Sequence, residues 1–244
     1  MAIPTFHAIV VVDIESFGPR TNPFQASLRR AMYDVVREAC AETGISWESL
    51  VVLDRGDGVI LLVPPATSVV TIAGSFVRAL DAVLKEKAAM FSDAHRMRFR
   101  VALHQGLCQR DDNGWVGEAI NTTCRLIDAQ PLRDVLKAAP EARMALIVSD
   151  DIYQNVVSHE YRLIDAASFA PVVLSIKELA GEKAWISVPG RPHPPGLVDV
   201  APSGPPTQRR SPPAPAGQSG GIANYGDTTV HGDQIAGDKF ERPR

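Results

Sequence analysis

Aromatic residues make up only 6% of this 244-residue chain, and it has three cysteines. Cys40, Cys108 and Cys124 are odd in number and far apart, which excludes a disulfide framework and fits reduced thiols in a cytoplasmic protein. No run approaches the ~18 apolar residues of a spanning helix, so no membrane partner is expected. The opening residues Met1 to Thr5 lack the basic stretch and cleavage site of a secretory leader. An excess of one charge is missing as well: 25 Lys+Arg against 28 Asp+Glu leave a formal net charge of −3. That balance argues against a nucleic-acid partner held by a basic face. The Gly-x-x-x-x-Gly-Lys-Ser/Thr loop and cysteine or histidine pairs with zinc spacing are absent, and no Gly-x-Ser-x-Gly stretch lies within residues 1–188 as a strand-to-helix elbow.

Proline, in contrast, is concentrated. Ten of the 27 residues from Pro189 to Pro215 are proline, interleaved with Gly, Ser and Arg. Such a stretch builds neither core nor sheet ladder, so residues 189–220 read as an extended linker. The globular domain is therefore placed at 1–188. Beyond the linker, residues 221–244 repeat Gly226-Asp227, Gly232-Asp233 and Gly237-Asp238, with Val230, Ile235 and Phe240 set among them. A segment this short cannot bury enough surface to fold alone, and reads as a disordered tail or as one that orders on a protein partner.

Within the domain the periodicities are legible. Residues 7–14 form a nearly unbroken apolar run, the mark of a buried strand. Asn22-Pro23 opens a helix along Leu28, Met32, Val35, Val36 and Ala39, which Gly44 closes. Residues 50–53 and 59–63 read as a hairpin across Asp54-Arg55-Gly56-Asp57-Gly58. A second helix is expected over 68–90, and residues 97–107 alternate as a strand with one buried face. Residues 118–129 read as a helix and 144–148 as a strand, Ser149 caps a short helix, and 172–177 with 184–188 form a late strand pair. The order predicts an α+β fold: a ferredoxin-like βαββαβ core, with helices on one face and additional C-terminal strands and helices.

Two carboxylates stand out. Asp13 ends an otherwise apolar strand, where a carboxylate is costly unless it is paired or holds a cation. Asp57 lies between two glycines at the hairpin tip, and the topology sets that hairpin beside the first strand. Two converging carboxylates suit Mg²⁺ or Mn²⁺ held together with phosphates, although a strand-end Asp and a hairpin Asp are also common as plain turn residues. Asn121 and Arg125, four apart, share one face of a helix, where they can present an amide and a guanidinium to one ligand or simply be solvated. His104 reads as a satisfied strand residue and Trp115 as a plug at a loop–helix junction.

Together these segments resemble the catalytic domain of the class III nucleotidyl cyclases, the adenylyl and guanylyl cyclases. Four stretches carry the resemblance, in family order: Val11-Val12-Asp13-Ile14-Glu15-Ser16-Phe17; Arg55-Gly56-Asp57-Gly58-Val59; Arg98-x-x-x-Ala102-Leu103-His104-x-Gly106; and Gly117-x-x-x-Asn121-x-x-x-Arg125. The resemblance implies two Mg²⁺ or Mn²⁺ ions held by Asp13, Asp57 and the Ile14 carbonyl. It further implies a nucleoside triphosphate substrate closed to a 3′,5′-cyclic nucleotide with loss of pyrophosphate. Arg125 would stabilise charge on the α-phosphate, Asn121 would orient the ribose and Lys177 would bind the triphosphate. It also implies a head-to-tail homodimer, with the carboxylates from one protomer and the Asn/Arg helix from the other.

The positions that read the base in the family fall at Leu53 and Gly114, neither of which offers a side-chain hydrogen bond. Asp54, Arg55, Asp112 or Asn113 would have to substitute, or selectivity is low. A non-purine pocket is compatible with the cyclic-pyrimidine enzymes that some bacterial relatives use in antiphage defence. The missing base readers leave open a different class of function, a catalytically silent nucleotide-binding or signalling module that acts through its tail.

Overall fold

The computed structural model describes residues 3–88, 96–175, 179 and 181–197. Seven strands lie in the order β2-β3-β1-β4-β6-β8-β7: β1 (Thr5–Ile14), β2 (Val51–Asp54), β3 (Gly58–Val63), β4 (Phe99–Asp111), β6 (Met144–Ser149), β7 (Ala170–Val173) and β8 (Lys183–Ser187). The short β5 (Gly114–Val116) pairs only with the far end of β4. The first four strands adopt the β2-β3-β1-β4 order of a ferredoxin-like sheet, antiparallel throughout, and β6 then joins β4 in parallel.

β1 holds the centre because both of its faces are apolar. Ala8, Val10, Val12 and Ile14 point to one side and Ile9 and Val11 to the other, all at most 3% exposed. The first side packs on α1 (Asn22–Glu42) and α3 (Val77–Ala88) through Leu28, Met32, Val36, Leu80 and Leu84. The second side packs on α4 (Glu118–Ile127) and α5 (Gln130–Ala138) through Ile120, Leu126, Leu132 and Val135. Each such fully buried aliphatic side chain is worth about 1.5–3 kcal/mol, so a charged residue at Val11 would cost the sheet its centre. Helices therefore cover both faces, not one. The reason lies in the second face of the sheet, where Ile9 and Val11 of β1 and Ala102 of β4 are apolar and fully buried in the cluster that includes α4 and α5.

α5 is absent from the sequence-based expectation. Its Pro131 sits in the first turn and Leu132, Val135 and Leu136 bury one face, a pattern hidden by its short length. The α1 cap is Thr21 rather than Asn22. The second helix begins where expected, Ser68 accepting from the Val70 N–H, as α2 (Val69–Thr71); it then passes through a π-helical turn (Ile72–Phe76) into α3. Ser149 caps α6 (Asp150–Asn155), its Oγ accepting from the Ile152 N–H at 3.3 Å. Cys40 and Cys108 are buried and Cys124 is half-buried, all as free thiols; burial pushes Cys40 up to about 11. Among the described residues no helix is long and apolar enough to cross a membrane. Lys177, most of the proline-rich linker and the Gly-Asp tail lie outside the described residues.

Candidate active site

The end of β1 is where the chemistry gathers. The sheet register sets Asp13 opposite Gly58 on one side and Arg100 on the other. The Ile14 N–H donates to the Asp57 carbonyl at 3.0 Å, which clamps the hairpin tip to the strand end. Gly58 makes that approach possible: a Cβ there would stand 2.7 Å from the Val12 carbonyl oxygen. Asp13 and Asp57 are thus brought side by side, as the topology argument expects. Their charges interact, and burial pushes the Asp13 carboxyl above its ordinary range, with Asp57 adding to the rise and Arg100 and Arg55 opposing it.

Arg100 was missed by the sequence reading. Its Nε donates to Asp13 Oδ2 at 2.9 Å and a terminal nitrogen grips the same oxygen. The signal was available in the charged residues of an otherwise buried strand, Arg98 and Arg100. Arg98 plays a structural part: it forms a two-pronged ion pair with Glu15 at 2.6 and 2.7 Å and donates to the carbonyls of Leu136 and Ala139, which ties the turn after β1 to the end of α5. Ser16, inside that turn, has a left-handed backbone with φ 53°. A cavity of about 610 Å³ opens over the turn, lined by Ile14, Ser16, Asp57 and Arg100 on one wall and by Arg133 and Lys137 of α5 on the other.

This donor set fits a divalent cation. Two carboxylates and a strand-end carbonyl are hard oxygens, and their small number leaves coordination positions for phosphate oxygens and water, the habit of Mg²⁺. No group of three His, Cys, Asp or Glu is present among the described residues, so an all-protein metal cage is not on offer there. The elevated Asp13 carboxyl is the physical mark of incomplete compensation, which a cation beside Asp57 would relieve.

Asn121 and Arg125 sit on α4, Asn121 exposed and Arg125 half-buried, and neither lines the cavity that holds Asp57. α4 is set directly on β4: a Cβ at Gly106 would meet the Ala119 Cβ at 2.7 Å. Leu53 is half-buried in β2 against the second core, and Gly114 opens β5 opposite Asp111. Asp111 lies eleven residues along β4 from Arg100, which is level with Asp13; at about 3.4 Å per residue that is roughly 37 Å. One protomer does not bring Gly114 to its own carboxylates. Of the suggested substitutes for base reading, Asp54 is committed to Arg29, the Tyr33 hydroxyl and the Gly56 N–H. His104 is half-buried and shares a 2.8 Å hydrogen bond with Ser149, and Trp115 packs edge-on against His7 at 5.3 Å; both have structural partners.

No family model matches the sequence, and no curated protein matches it. Solved structures do. An adenylate/guanylate cyclase/hydrolase from Silicibacter pomeroyi superposes with a TM-score of 0.52 at 18% identity, covering 78% of this chain and 99% of its own. The adenylyl cyclase CyaB from P. aeruginosa gives 0.52 at 12% identity, covering 81% and 100%. The catalytic core of a rhodopsin-guanylyl cyclase with converted specificity, solved with ATPalphaS, gives 0.51 at 14% identity, covering 75% and 95%. This chain has the class III nucleotidyl cyclase fold. These three chains are matched over 95% or more of their own length.

Proposed function

We propose that the protein is a nucleotidyl cyclase that converts a nucleoside triphosphate into a 3′,5′-cyclic nucleotide and pyrophosphate at a homodimer interface, as a signalling enzyme. The observation that carries this reading is the pairing of Asp13 and Asp57 at the end of β1, Asp13 half-buried and raised and Asp57 lining a cavity of a size suited to a nucleotide's phosphates. Asp13, Asp57 and the Ile14 carbonyl would hold Mg²⁺ or Mn²⁺. Bound there, the metal supplies activation of the ribose 3′-hydroxyl and neutralisation of the phosphates.

The chain's own residues do the positioning. Asp57 and Asp13 fix where the phosphate chain lies. Arg100, already beside Asp13, lines the cavity and screens the phosphate charge. Asn121 and Arg125 do not line that cavity in one protomer, and act from a second copy: Arg125 on the charge that develops at the α-phosphate, Asn121 on the ribose. Lys177 completes the triphosphate contacts. Leu53 and Gly114 give the base no polar side chain, so selectivity among bases is weak or set by Asp112 and Asn113; a cyclic pyrimidine is among the products to be tested, and antiphage defence among the settings.

A second reading, a catalytically silent nucleotide-binding or signalling module working through the Gly-Asp tail, is favoured by the grip of Arg100 on Asp13, which competes with a cation. Incubation with ATP, GTP, CTP and UTP in Mn²⁺, followed by mass spectrometry, separates the two. Cyclic product from wild type and none from Asp13→Ala supports the enzyme. No product from any triphosphate, with equal nucleotide binding by both proteins, supports the silent module.

A further inference from the structure

A second cavity, of about 410 Å³, backs onto the first. Glu15, Ser16 and Lys137 line both, so the β1 turn and one α5 lysine form the partition. The outer cavity is strongly cationic: Arg20, Arg96, Arg98 and Lys137 face a single acid, Glu15, which Arg98 already engages. Arg20 and Arg96 are held in place by backbone carbonyls. Arg20 donates to the carbonyls of Ser16 at 3.2 Å and Arg96 at 2.7 Å, and Arg96 donates to that of Pro140. Among the described residues neither Arg96 nor Lys137 has a carboxylate partner. Arg96 and Lys137, like charges on one cavity without matching acids among the described residues, repel one another, and an anion with several oxygens relieves that repulsion through charge-assisted hydrogen bonds.

From this we infer that the outer cavity is a binding site for inorganic pyrophosphate, with Arg96 and Lys137 as its principal contacts and Arg20 in support. The inference rests on the cyclase reading for the source of the anion, pyrophosphate being the product released beside Asp13 and Asp57. Lys137, shared by both cavities, hands the anion from one to the other. Pyrophosphate carries more oxygens and more charge than sulfate, and so gains more from an array of several cations.

The test is calorimetric titration of the full chain with inorganic pyrophosphate in EDTA, so that metal carboxylates cannot contribute. One pyrophosphate per chain is expected, with inorganic phosphate and sulfate at least tenfold weaker. Arg96→Gln and Lys137→Gln should each weaken pyrophosphate roughly tenfold, as loss of one charged contact does, while Asp13→Asn should leave it unchanged or tighter. Both substitutions are at exposed side chains, and unaltered thermal melts verify the fold. Binding that ignores both variants, or that appears only with metal, overturns the site. The outcomes separate cleanly from those of the cyclase assay. If no cyclic nucleotide forms yet pyrophosphate binding depends on Arg96 and Lys137, the anion site stands and the cyclase reading falls. In an active enzyme, Arg96→Gln, which lines only the outer cavity, should relieve product inhibition by pyrophosphate about tenfold, with KM for the triphosphate moved less than twofold.

Discussion

Arg100 faces Asp13 directly across the β1–β4 ladder and holds one oxygen of its carboxylate through two nitrogens, with both side chains only 13% exposed. A buried pair of this kind contributes little net stability, because desolvation offsets the attraction, but it decides what else can reach the carboxylate. On the cyclase reading proposed above, the guanidinium occupies a position the cation needs, so Asp13 would be shared between a resident positive charge and an incoming one.

Replacing Arg100 by Gln therefore separates competition from support. Without metal, Arg100→Gln should destabilise the fold by about 3 kcal/mol, since Asp13 is left buried and unpaired. Mn²⁺ should bind the variant several-fold more tightly than wild type when no nucleotide is present, and should restore most of the lost stability. Mn²⁺ electron paramagnetic resonance and urea melts with and without metal measure the two effects. Weaker Mn²⁺ binding in the variant would mean that Arg100 helps to build the cation site and does not compete with it.

The elevated Asp13 carboxyl gives a pH dependence of definite sign. An acid raised above its ordinary 3.8 is favoured in its protonated form by the folded chain, so ionising it costs stability. That cost is absent below about pH 3.8, grows as pH climbs through the folded value and is complete above it. Asp13→Asn cannot ionise, and its unpaired Arg100 adds only a pH-independent offset. In EDTA, the stability of wild type relative to Asp13→Asn should fall from about pH 4 towards neutrality. Millimolar Mn²⁺ should flatten the fall, because a cation favours the carboxylate. Urea melts at stepped pH check both, and a difference that rises with pH would mean that Arg100 more than cancels the burial.

Much of this was legible beforehand, for physical reasons that differ by element. β1 announced itself because a strand buried on both faces needs an unbroken apolar run, and the hairpin because Asp-Gly at a tip demands little context. The carboxylate pair followed from topology, since antiparallel pairing of β1 with β3 leaves Asp57 nowhere to go but beside Asp13. What stayed hidden depends on contacts made across the fold. Arg98 and Arg100 alternate like surface residues, and only the helices on the second face turn them into buried ion pairs with Glu15 and Asp13. α5 is too short for its period to stand out, although it forms a wall of the cavity. The separation of Gly114 from Asp13 came from β4 extending to Asp111, four residues beyond the expected strand end.

The seat of α4 on β4 is a stability question with a clear answer. Gly106 and Ala119 leave no room for a side chain, so Gly106→Val must push the helix off the sheet or strain both backbones. Overpacking of this kind costs about 1–3 kcal/mol. Denaturant melts should show a midpoint loss of that order. Because Asn121 and Arg125 ride on the displaced helix, cyclase activity measured under folding conditions should fall further than the folded fraction does. Equal losses would mean that the position of α4 is unimportant to turnover.

The strongest test of a composite site uses two proteins that are each inactive. Asp57→Ala removes a carboxylate proposed to hold metal and Arg125→Ala the guanidinium proposed to act on the α-phosphate, and in a homodimer each would damage both sites. In a heterodimer the two lesions fall on the same site whenever carboxylates and guanidinium come from different chains, which leaves the other site intact. Random mixing makes half of the dimers mixed, each with one working site of two, so activity should return to about a quarter of wild type. Were both functions served within a single chain, each protomer would carry its own defect and mixing would restore nothing. The comparison is made after co-refolding or co-expression, with dimer content verified by size-exclusion chromatography, and persistent inactivity in confirmed heterodimers would place Arg125 in the same protomer's site or outside the site altogether.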